Sequence, residues 1–291
     1  MAVSETKRSP GKPAGVLWRV LRSAALVYMG LWMLMASCQR RYIYYPQRAT
    51  EAELNERARI LRMRRWPDAG GETIGWRAGD GRRPDAAVLV FHGNAGFALH
   101  RDYISSALLT AGPGQIREVA LFEYPGYGAR PGHPSQPAFL EAAEEAFMQL
   151  REELPDARIF LVGESIGAGV ACALAGAHPD AVAGLLLITP FTSLTDVGRH
   201  HYPYLPVGRF LRDRYDNVTA LKGYAGPVGI VVADADTVVP AKLGRKLHQS
   251  YTGPKMLRND AGRTHNELSY SPHLPWWSEI WRFLDHEIAK D

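Results

Sequence analysis

Cysteine is scarce in this chain, because Cys38 and Cys172 are the two cysteines among 291 residues. Two cysteines exclude a disulfide framework and a thiolate-based metal site. No internal repeat and no low-complexity linker interrupts the sequence. Hydrophobic residues make up 46% and charged residues 22%, which is ordinary for a globular protein and excludes a disordered or collagen-like chain. The length fits one large domain and leaves no room for a second full domain.

Positive charge is in small excess, with a formal net charge of +4. The sequence has no basic patch interleaved with aromatic residues and no nucleic-acid motif, so no nucleic-acid partner is expected. Part of the positive charge is concentrated ahead of an apolar stretch, at Lys7, Arg8, Lys12, Arg19 and Arg22.

That apolar stretch covers residues 23–39 and carries no charge, with arginines on both flanks. Its length fits either a retained membrane anchor or a cleaved signal. The more basic amino side predicts a cytoplasmic N-terminus and a body on the other side of the membrane, which is the periplasm in a bacterium. Met35-Ala36-Ser37-Cys38 also resembles a bacterial lipoprotein processing site, with Cys38 as the lipidated residue. We therefore expect residues 1–40 to be a tail with an anchor or signal, and residues 41–291 to be the folded domain.

Continuous apolar runs in the body alternate with segments of helical pattern. Such runs predict parallel strands that are covered on both faces, so the expected fold class is α/β with helices on both sides of a mostly parallel sheet. Helices are predicted at 101–110, 137–153 and 166–176. The predicted strands are 86–91, 119–122, 159–162, 183–188 and 228–232.

A candidate nucleophile follows the predicted strand at 159–162. Gly163-Glu164-Ser165-Ile166-Gly167 matches the G-x-S-x-G pattern, and a run of small residues begins a helix directly after it. A sharp strand-to-helix turn exposes the serine hydroxyl, and glycines flank it because side chains there would collide. Ser165 is thus the predicted nucleophile, and Glu164 is expected to be a solvated or supporting residue. The simpler alternative is a glycine-rich turn before a helix.

The loop after the first strong strand, His92-Gly93-Asn94-Ala95-Gly96, is placed to help stabilise an oxyanion. The backbone amides of Asn94 and Ile166 are the predicted donors to the carbonyl oxygen of the substrate. His92 lies upstream of the nucleophile, so we expect it to organise this loop by a hydrogen bond rather than to act as the base.

The acid and the base of a serine nucleophile follow it, in that order, in folds with this turn. Asp234 and Asp236 both follow the strand at 228–232, and Asp236 is preferred because it lies deeper in the loop, at the entrance to a helix. His265 lies on the loop after a short final strand near 256–258 and is the predicted general base.

Residues 196–217 break the alternation of strands and helices and are rich in Tyr, Pro, Arg and His. They predict an insertion over the carboxyl edge of the sheet, which we call the lid segment. The pair His200 and His201 is expected to lie on its surface rather than in a metal site. The lid residues expected to contact substrate are Tyr202, Tyr204, Leu205 and Phe210.

With these motifs the chain resembles the α/β-hydrolase superfamily, over roughly residues 42–289. Within it the chain looks like the small membrane-anchored serine hydrolases with a short lid, some of which remove acyl groups from proteins. By that resemblance Asp236 matches the acid and His265 the base, whereas Val232-Ala233 stands where the family usually has His-Gly. The motifs beyond the serine turn are HGNAG at 92–96, YPGYG at 124–128, PFTSL at 190–194, DTVVP at 236–240 and the segment 202–216.

The predicted reaction is hydrolysis of an ester or thioester through an acyl-serine intermediate, without a metal or an organic cofactor. The apolar lid favours a small-molecule or acylated substrate with a hydrophobic acyl group. Two alternatives remain at this stage: a serine peptidase that uses the same residues, and a membrane-tethered binding protein that keeps the fold without turnover. The sequence leaves the oligomeric state open.

Overall fold

A computed structural model describes residues 13–111 and 116–288. The basic residues Lys7, Arg8 and Lys12, part of the predicted cytoplasmic tail, lie outside the described residues. The chain divides into two compact units, the first ending at Gln39 and the second beginning at Arg40.

The first helix, α1, is a single helix of 31 residues, Pro13–Ile43. It extends beyond the uncharged stretch 23–39 at both ends, because the flanking Leu, Val and Arg residues are good or tolerated helix formers. Gly15–Ile43 is long enough and apolar enough to cross a membrane, as judged by length and composition. Cys38 lies inside this helix, near its C-terminal end.

The strands form one eight-stranded sheet and one short two-stranded sheet. The large sheet has the order β10-β9-β8-β7-β4-β6-β3-β2, in which β3 is antiparallel to both neighbours and the other pairs are parallel. The two-stranded sheet pairs β1 with β5. The strands are β1 Tyr45–Pro46, β2 Arg64–Pro67, β3 Thr73–Gly79, β4 Ala86–Phe91, β5 Ala95–Gly96, β6 Ile116–Phe122, β7 Arg158–Glu164, β8 Val182–Ile188, β9 Val228–Ala233 and β10 Lys255–Asp260.

Helices connect the parallel strands, because two parallel neighbours need a long crossover between them. Four of the helices that the structure describes begin with a polar side-chain cap, at Thr50, Ser135, Ser193 and Asp216; Ser135, for example, accepts a hydrogen bond from Ala138 N–H. The remaining helices are α2 Glu51–Ile60, α3 Asp102–Ala111, α4 Gln136–Glu153, α5 Ile166–Ala177, α6 Leu194–His201, α7 Val207–Phe210, α8 Asn217–Ala220, α9 Ala241–Ser250 and α10 Pro275–Ile288, with 3-10 turns at Ala98–Arg101 and Leu221–Gly223.

Two hydrophobic cores lie on the two faces of the large sheet. In β4 all six residues are buried, and they alternate between the cores, since Leu89 and Phe91 pack on one side and Val88 and Val90 on the other. Burial on both faces is the physical reason for the continuous apolar runs in the sequence. The expected α/β fold, with a mostly parallel sheet and helices on both faces, is confirmed.

The predicted elements differ from the observed ones mainly at their ends. β6 begins at Ile116, three residues before its predicted start, and the first helix of the lid segment, α6, begins at Leu194, two residues before the predicted start of the insertion. Ser193 caps this helix by accepting a hydrogen bond from Asp196 N–H at 3.0 Å. The ends of the insertion meet: Leu194 N–H donates to Arg214 O at 2.8 Å and Asn217 N–H to Thr192 O at 2.9 Å. The lid segment is therefore an excursion whose base is closed by hydrogen bonds.

Candidate active site

Ser165 lies between the end of β7 and the start of α5, at the carboxyl edge of the sheet. Its backbone has φ 53° and ψ −115°, a conformation that a residue with a side chain rarely adopts. The Ser165 N–H donates to Ile188 O at 2.8 Å, so the pairing of β7 with β8 continues up to the turn. Strained backbone that is held in place in this way is typical of functional turns.

The two glycines of this turn are required by close backbone contacts. A Cβ at Gly167 would overlap the carbonyl oxygen of Phe91 and lie 2.7 Å from that of His92. A Cβ at Gly163 would lie 2.5 Å from Ala168 Cα. Glycine therefore lets α5 approach the loop after β4 closely enough for both to border one site.

The acid and base candidates are in direct contact. His265 Nδ1–H donates to Asp236 Oδ2 at 2.6 Å, and the Asp236 side chain is 1% exposed. The other carboxylate oxygen, Oδ1, accepts from Val238 N–H at 2.8 Å and from Val239 N–H at 2.7 Å. These amides orient the carboxylate toward the imidazole.

Asp234, the alternative acid, is directed elsewhere. Its carboxylate accepts a hydrogen bond from the Arg245 guanidinium on α9. Its backbone N–H donates to Asp260 O at 3.1 Å and so joins the loop after β9 to the end of β10. Asp234 thus holds the loop that carries Asp236 and has no contact with His265 among the described residues.

Ser165 and His265 share this edge of the sheet, but no hydrogen bond joins them within the described part of the chain. The charge of His265 does act on the carboxylate of Glu164, the residue before the nucleophile. A hydrogen bond between a nucleophile and its general base is often long in the absence of substrate and shortens when substrate binds. The strand order β7-β8-β9-β10 brings the residues that follow β7, β9 and β10 to one edge.

The loop after β4 is held by its own histidine. His92 Nδ1–H donates to Gly93 O at 2.7 Å, and His92 Nε2 lies 3.3 Å from Glu123 Oε1. The carbonyl and N–H of one trans peptide group point in opposite directions, so this bond directs the Asn94 N–H away from His92. The expectation that His92 organises the loop is confirmed.

The two amides predicted to face the oxyanion, those of Asn94 and Ile166, donate no hydrogen bond to another protein group in the part of the chain that the structure describes. The other backbone group of Asn94 and its side chain do form hydrogen bonds. Its carbonyl oxygen accepts from Tyr45 N–H at 3.0 Å and from the Tyr127 hydroxyl at 2.8 Å, and its side-chain amide donates to Ile43 O at 2.7 Å.

Glu164 is a supporting residue rather than a solvated one, which is the second of the two roles expected for it. Its carboxylate is largely buried and accepts from Arg101 Nε at 2.6 Å and from Gly93 N–H at 3.2 Å. Burial raises the pKa of Glu164, but the charge and hydrogen bonds of Arg101 and the Gly93 amide outweigh it and hold the pKa below its usual value. Sequence patterns gave no sign of this pairing, because Arg101 is 63 residues away along the chain.

The lid residues are placed around the edge of the sheet with large exposed surfaces. Tyr204 is 90% exposed, Tyr202 49% and Phe210 39%, while Leu205 is half-buried. His201 Nε2–H donates to Val238 O at 2.9 Å, which joins the end of α6 to the loop that carries Asp236. Contact of these residues with substrate stays a prediction. In the residues that the structure describes, His200 and His201 belong to no cluster of metal ligands.

Known proteins with similar sequences include members of the alpha/beta hydrolase fold family. The sequence profile of the alpha/beta hydrolase fold matches residues 86–224. An uncharacterized protein of Mycobacterium tuberculosis is 35% identical over 274 residues, which cover 91% of this chain and 94% of that relative. The lysophosphatidylserine lipase ABHD12 of Danio rerio is 28% identical over 241 residues, which cover 72% of this chain and 61% of that relative.

Solved structures share the fold at lower identity. The Pyrococcus furiosus esterase Pf2001 has a TM-score of 0.63 and 16% identity over 84% of this chain and 99% of that one. The monoacylglycerol lipase of Paleococcus ferrophilus has a TM-score of 0.54 and 21% identity over 75% of this chain and 99% of that one. Fold and serine turn together define an α/β hydrolase. The chain belongs to the α/β-hydrolase family, and it is similar to the lipases and esterases of that family.

Proposed function

We propose that the chain is a serine hydrolase that cleaves a carboxylic ester or thioester through an acyl-Ser165 intermediate. The observation that carries this proposal is the Asp236–His265 hydrogen bond at the sheet edge where the strained Ser165 turn also lies. A structural turn has no need for a buried carboxylate that orients a histidine. A binding protein without turnover has no need for it either.

The reaction follows from these groups. His265 Nε2 takes the proton of the Ser165 hydroxyl while Oγ forms a bond to the substrate carbonyl carbon, and Asp236 stabilises the resulting imidazolium. The negative charge that develops on the carbonyl oxygen is stabilised by the N–H groups of Asn94 and Ile166. His265 then gives the proton to the alcohol or thiol as its bond to the carbonyl carbon breaks. With His265 as base, water attacks the acyl carbon, the bond to Ser165 Oγ breaks, and His265 returns the proton to Oγ as the acid leaves.

For the substrate, we propose a hydrophobic acyl ester such as a single-chain lipid. The exposed tyrosines and Phe210 of the lid segment offer apolar surface to an acyl chain. The similar proteins support the same substrate class, since one is a lysophosphatidylserine lipase and a structural neighbour is a monoacylglycerol lipase. A peptidase reaction would use the same groups, but no observation favours it.

We also propose that α1 anchors the enzyme in a membrane with the body on the non-cytoplasmic side. Support comes from a helix long and apolar enough to span a bilayer, with arginines ahead of its apolar stretch. A chain processed at Cys38 and lipidated there is the alternative, and either form keeps the body at the membrane surface.

The proposal is tested by labelling the full chain in detergent with a fluorophosphonate and measuring intact mass. We expect one label on the wild type, none on Ser165→Ala, and sharply slower labelling of His265→Ala, because the hydroxyl needs a base. Hydrolysis of a series of p-nitrophenyl esters from acetyl to decanoyl would then rank acyl chain length. A folded wild type that takes no label would overturn the proposed function in favour of a binding protein.

A further inference from the structure

Residues 40–47, which connect the apolar helix to the body, make close contacts with the proposed oxyanion loop. Tyr45 N–H donates to Asn94 O at 3.0 Å, and Gln47 N–H donates to Gly96 O at 3.1 Å. In the other direction, the Asn94 side-chain amide donates to Ile43 O at 2.7 Å. These bonds form the parallel pairing of β1 with β5, so residues 40–47 hold Asn94 by both its backbone and its side chain.

The same residues hold the far end of the lid segment. Arg40 donates two hydrogen bonds to the Asp213 carboxylate, at 2.9 and 3.0 Å. The Tyr44 hydroxyl donates to Asp213 Oδ2 at 3.1 Å and lies 3.0 Å from the Tyr215 hydroxyl. The Asp213 side chain is 1% exposed, so its hydrogen bonds come from these protein groups rather than from bulk water.

Tyr215 in turn rests on the helix that follows the nucleophile. A Cβ at Gly169, in the first turns of α5, would lie 2.6 Å from Tyr215 Cδ1, which shows how closely the ring packs there. Tyr215 is itself held at φ 39°, an uncommon conformation for a residue with a side chain. Residues 40–47 are thus connected to the oxyanion loop on one side and to the nucleophile helix on the other.

We propose that residues 40–47 are a positioning segment for the oxyanion site: they set the place of the Asn94 amide relative to Ile166, and the Arg40–Asp213–Tyr44 cluster fixes the segment to the base of the lid. This inference rests on the proposed function. It makes Arg40 and Tyr44 positioning residues, which act through Asn94 and touch no substrate.

One consequence concerns processing of the N-terminus. The second compact unit begins at Arg40, so a chain that starts at Cys38 would keep the whole positioning segment. A chain cut after Gln47 would lose it while keeping Ser165, Asp236 and His265. The apolar stretch at 23–39 and the positioning segment at 40–47 are therefore adjacent in the sequence.

The experiment uses the full chain in detergent and a soluble short ester, p-nitrophenyl butyrate. The variants are Arg40→Gln and Tyr44→Phe, of which the second keeps the ring contact with Phe139 at 5.1 Å. We expect kcat to fall about tenfold, because small displacements of a catalytic group are costly. KM should stay within about twofold, because the oxyanion donors act in the transition state. Arg40→Lys should recover part of kcat, since it restores the charge beside Asp213.

The matched control is Arg158→Gln, which breaks an arginine–carboxylate pair of 2.8 Å with Asp285 at the amino end of β7. It should leave kcat unchanged even if Tm falls. Wild-type kcat in both Arg40→Gln and Tyr44→Phe would overturn this inference alone, as would a kcat loss that Arg158→Gln reproduces at the same drop in Tm. A wild type without labelling or hydrolysis would overturn the proposed function and this inference with it.

Discussion

Asp234 and Asp236 are two residues apart on one loop, and their carboxylates have different partners. Asp236 accepts from His265 and from two backbone amides, whereas Asp234 accepts from Arg245. Only the first arrangement orients an imidazole and stabilises its cation. This difference gives each aspartate a distinct expected phenotype.

Asp236→Asn is expected to lower kcat for p-nitrophenyl butyrate by roughly 10³- to 10⁴-fold, because an amide favours the wrong histidine tautomer. Asp234→Asn is the matched control and should change kcat by less than about fivefold, since it weakens a half-exposed ion pair. Steady-state kinetics of the two variants shows which aspartate acts as the acid. Equal losses in both would contradict the assignment of Asp236 as the acid.

Glu164 adds a buried charge beside the nucleophile. It accepts hydrogen bonds from Arg101, on the 3-10 turn before α3, and from Gly93 in the oxyanion loop, so it joins two of the loops that border the site. Its lowered pKa means that the folded state binds the proton less tightly than the unfolded chain does. Folding stability is therefore linked to the ionisation of this group.

Glu164→Gln is expected to destabilise the protein at neutral pH, and this difference should shrink on acidification. A depressed carboxyl pKa contributes stability above the unfolded value of about 4.3 and loses it as pH falls through the lower folded value. Unfolding of wild type and variant measured at pH 7, 5 and 3.5 tests this. A stability difference that is the same at every pH would argue against an ionised, paired Glu164.

Among the elements, the lid segment is the one for which we propose a role of exposed rather than buried residues. Its base is closed by the Leu194–Arg214 and Thr192–Asn217 hydrogen bonds, and His201 joins it to the loop of the proposed acid. A closed base gives the segment a defined position over the carboxyl edge. This position is the basis of our proposal that its apolar side chains contact an acyl chain.

Phe210→Ser is expected to lower kcat/KM for a decanoyl ester about tenfold relative to a butyryl ester, because a partly buried aromatic contact contributes about 1–2 kcal/mol. Met148→Ser is the matched control, since Met148 is also 39% exposed but lies on α4. The measurement is the ratio of kcat/KM for the two esters. A ratio that Phe210→Ser leaves unchanged would remove the lid from the acyl-binding site.

For the whole molecule, attachment to a membrane is the property that α1 predicts. We expect the full chain to stay with membranes after a carbonate wash, and Cys38→Ser to stay there as well, because a retained helix needs no lipid. Cys172→Ala is the control for removal of a cysteine, since Cys172 is buried in α5. Release of Cys38→Ser into the soluble fraction would favour a lipoprotein instead.

Much of the fold was predictable because the signals are local. The five main strands are continuous apolar runs, since both faces of the sheet are covered, and the predicted 86–91 coincides with β4. The Ser165 turn is equally local, because its glycines are required by the backbone contacts of one strand-turn-helix unit. The start of the lid segment was less predictable, because the Ser193 cap and the closed base of the lid decide where α6 begins.

The sequence by itself determined the fold class, the nucleophile candidate and the order in which acid and base follow it, because each depends on a few neighbouring residues. Only the tertiary structure decided which aspartate contacts His265, that Glu164 is buried against Arg101, and that Arg40 reaches Asp213, 173 residues further along the chain. These contacts join residues that are far apart in the sequence, and the local pattern around one residue does not predict its partner. Hydrogen bonds and charge pairing depend on distance in space, and the folded sheet sets that distance.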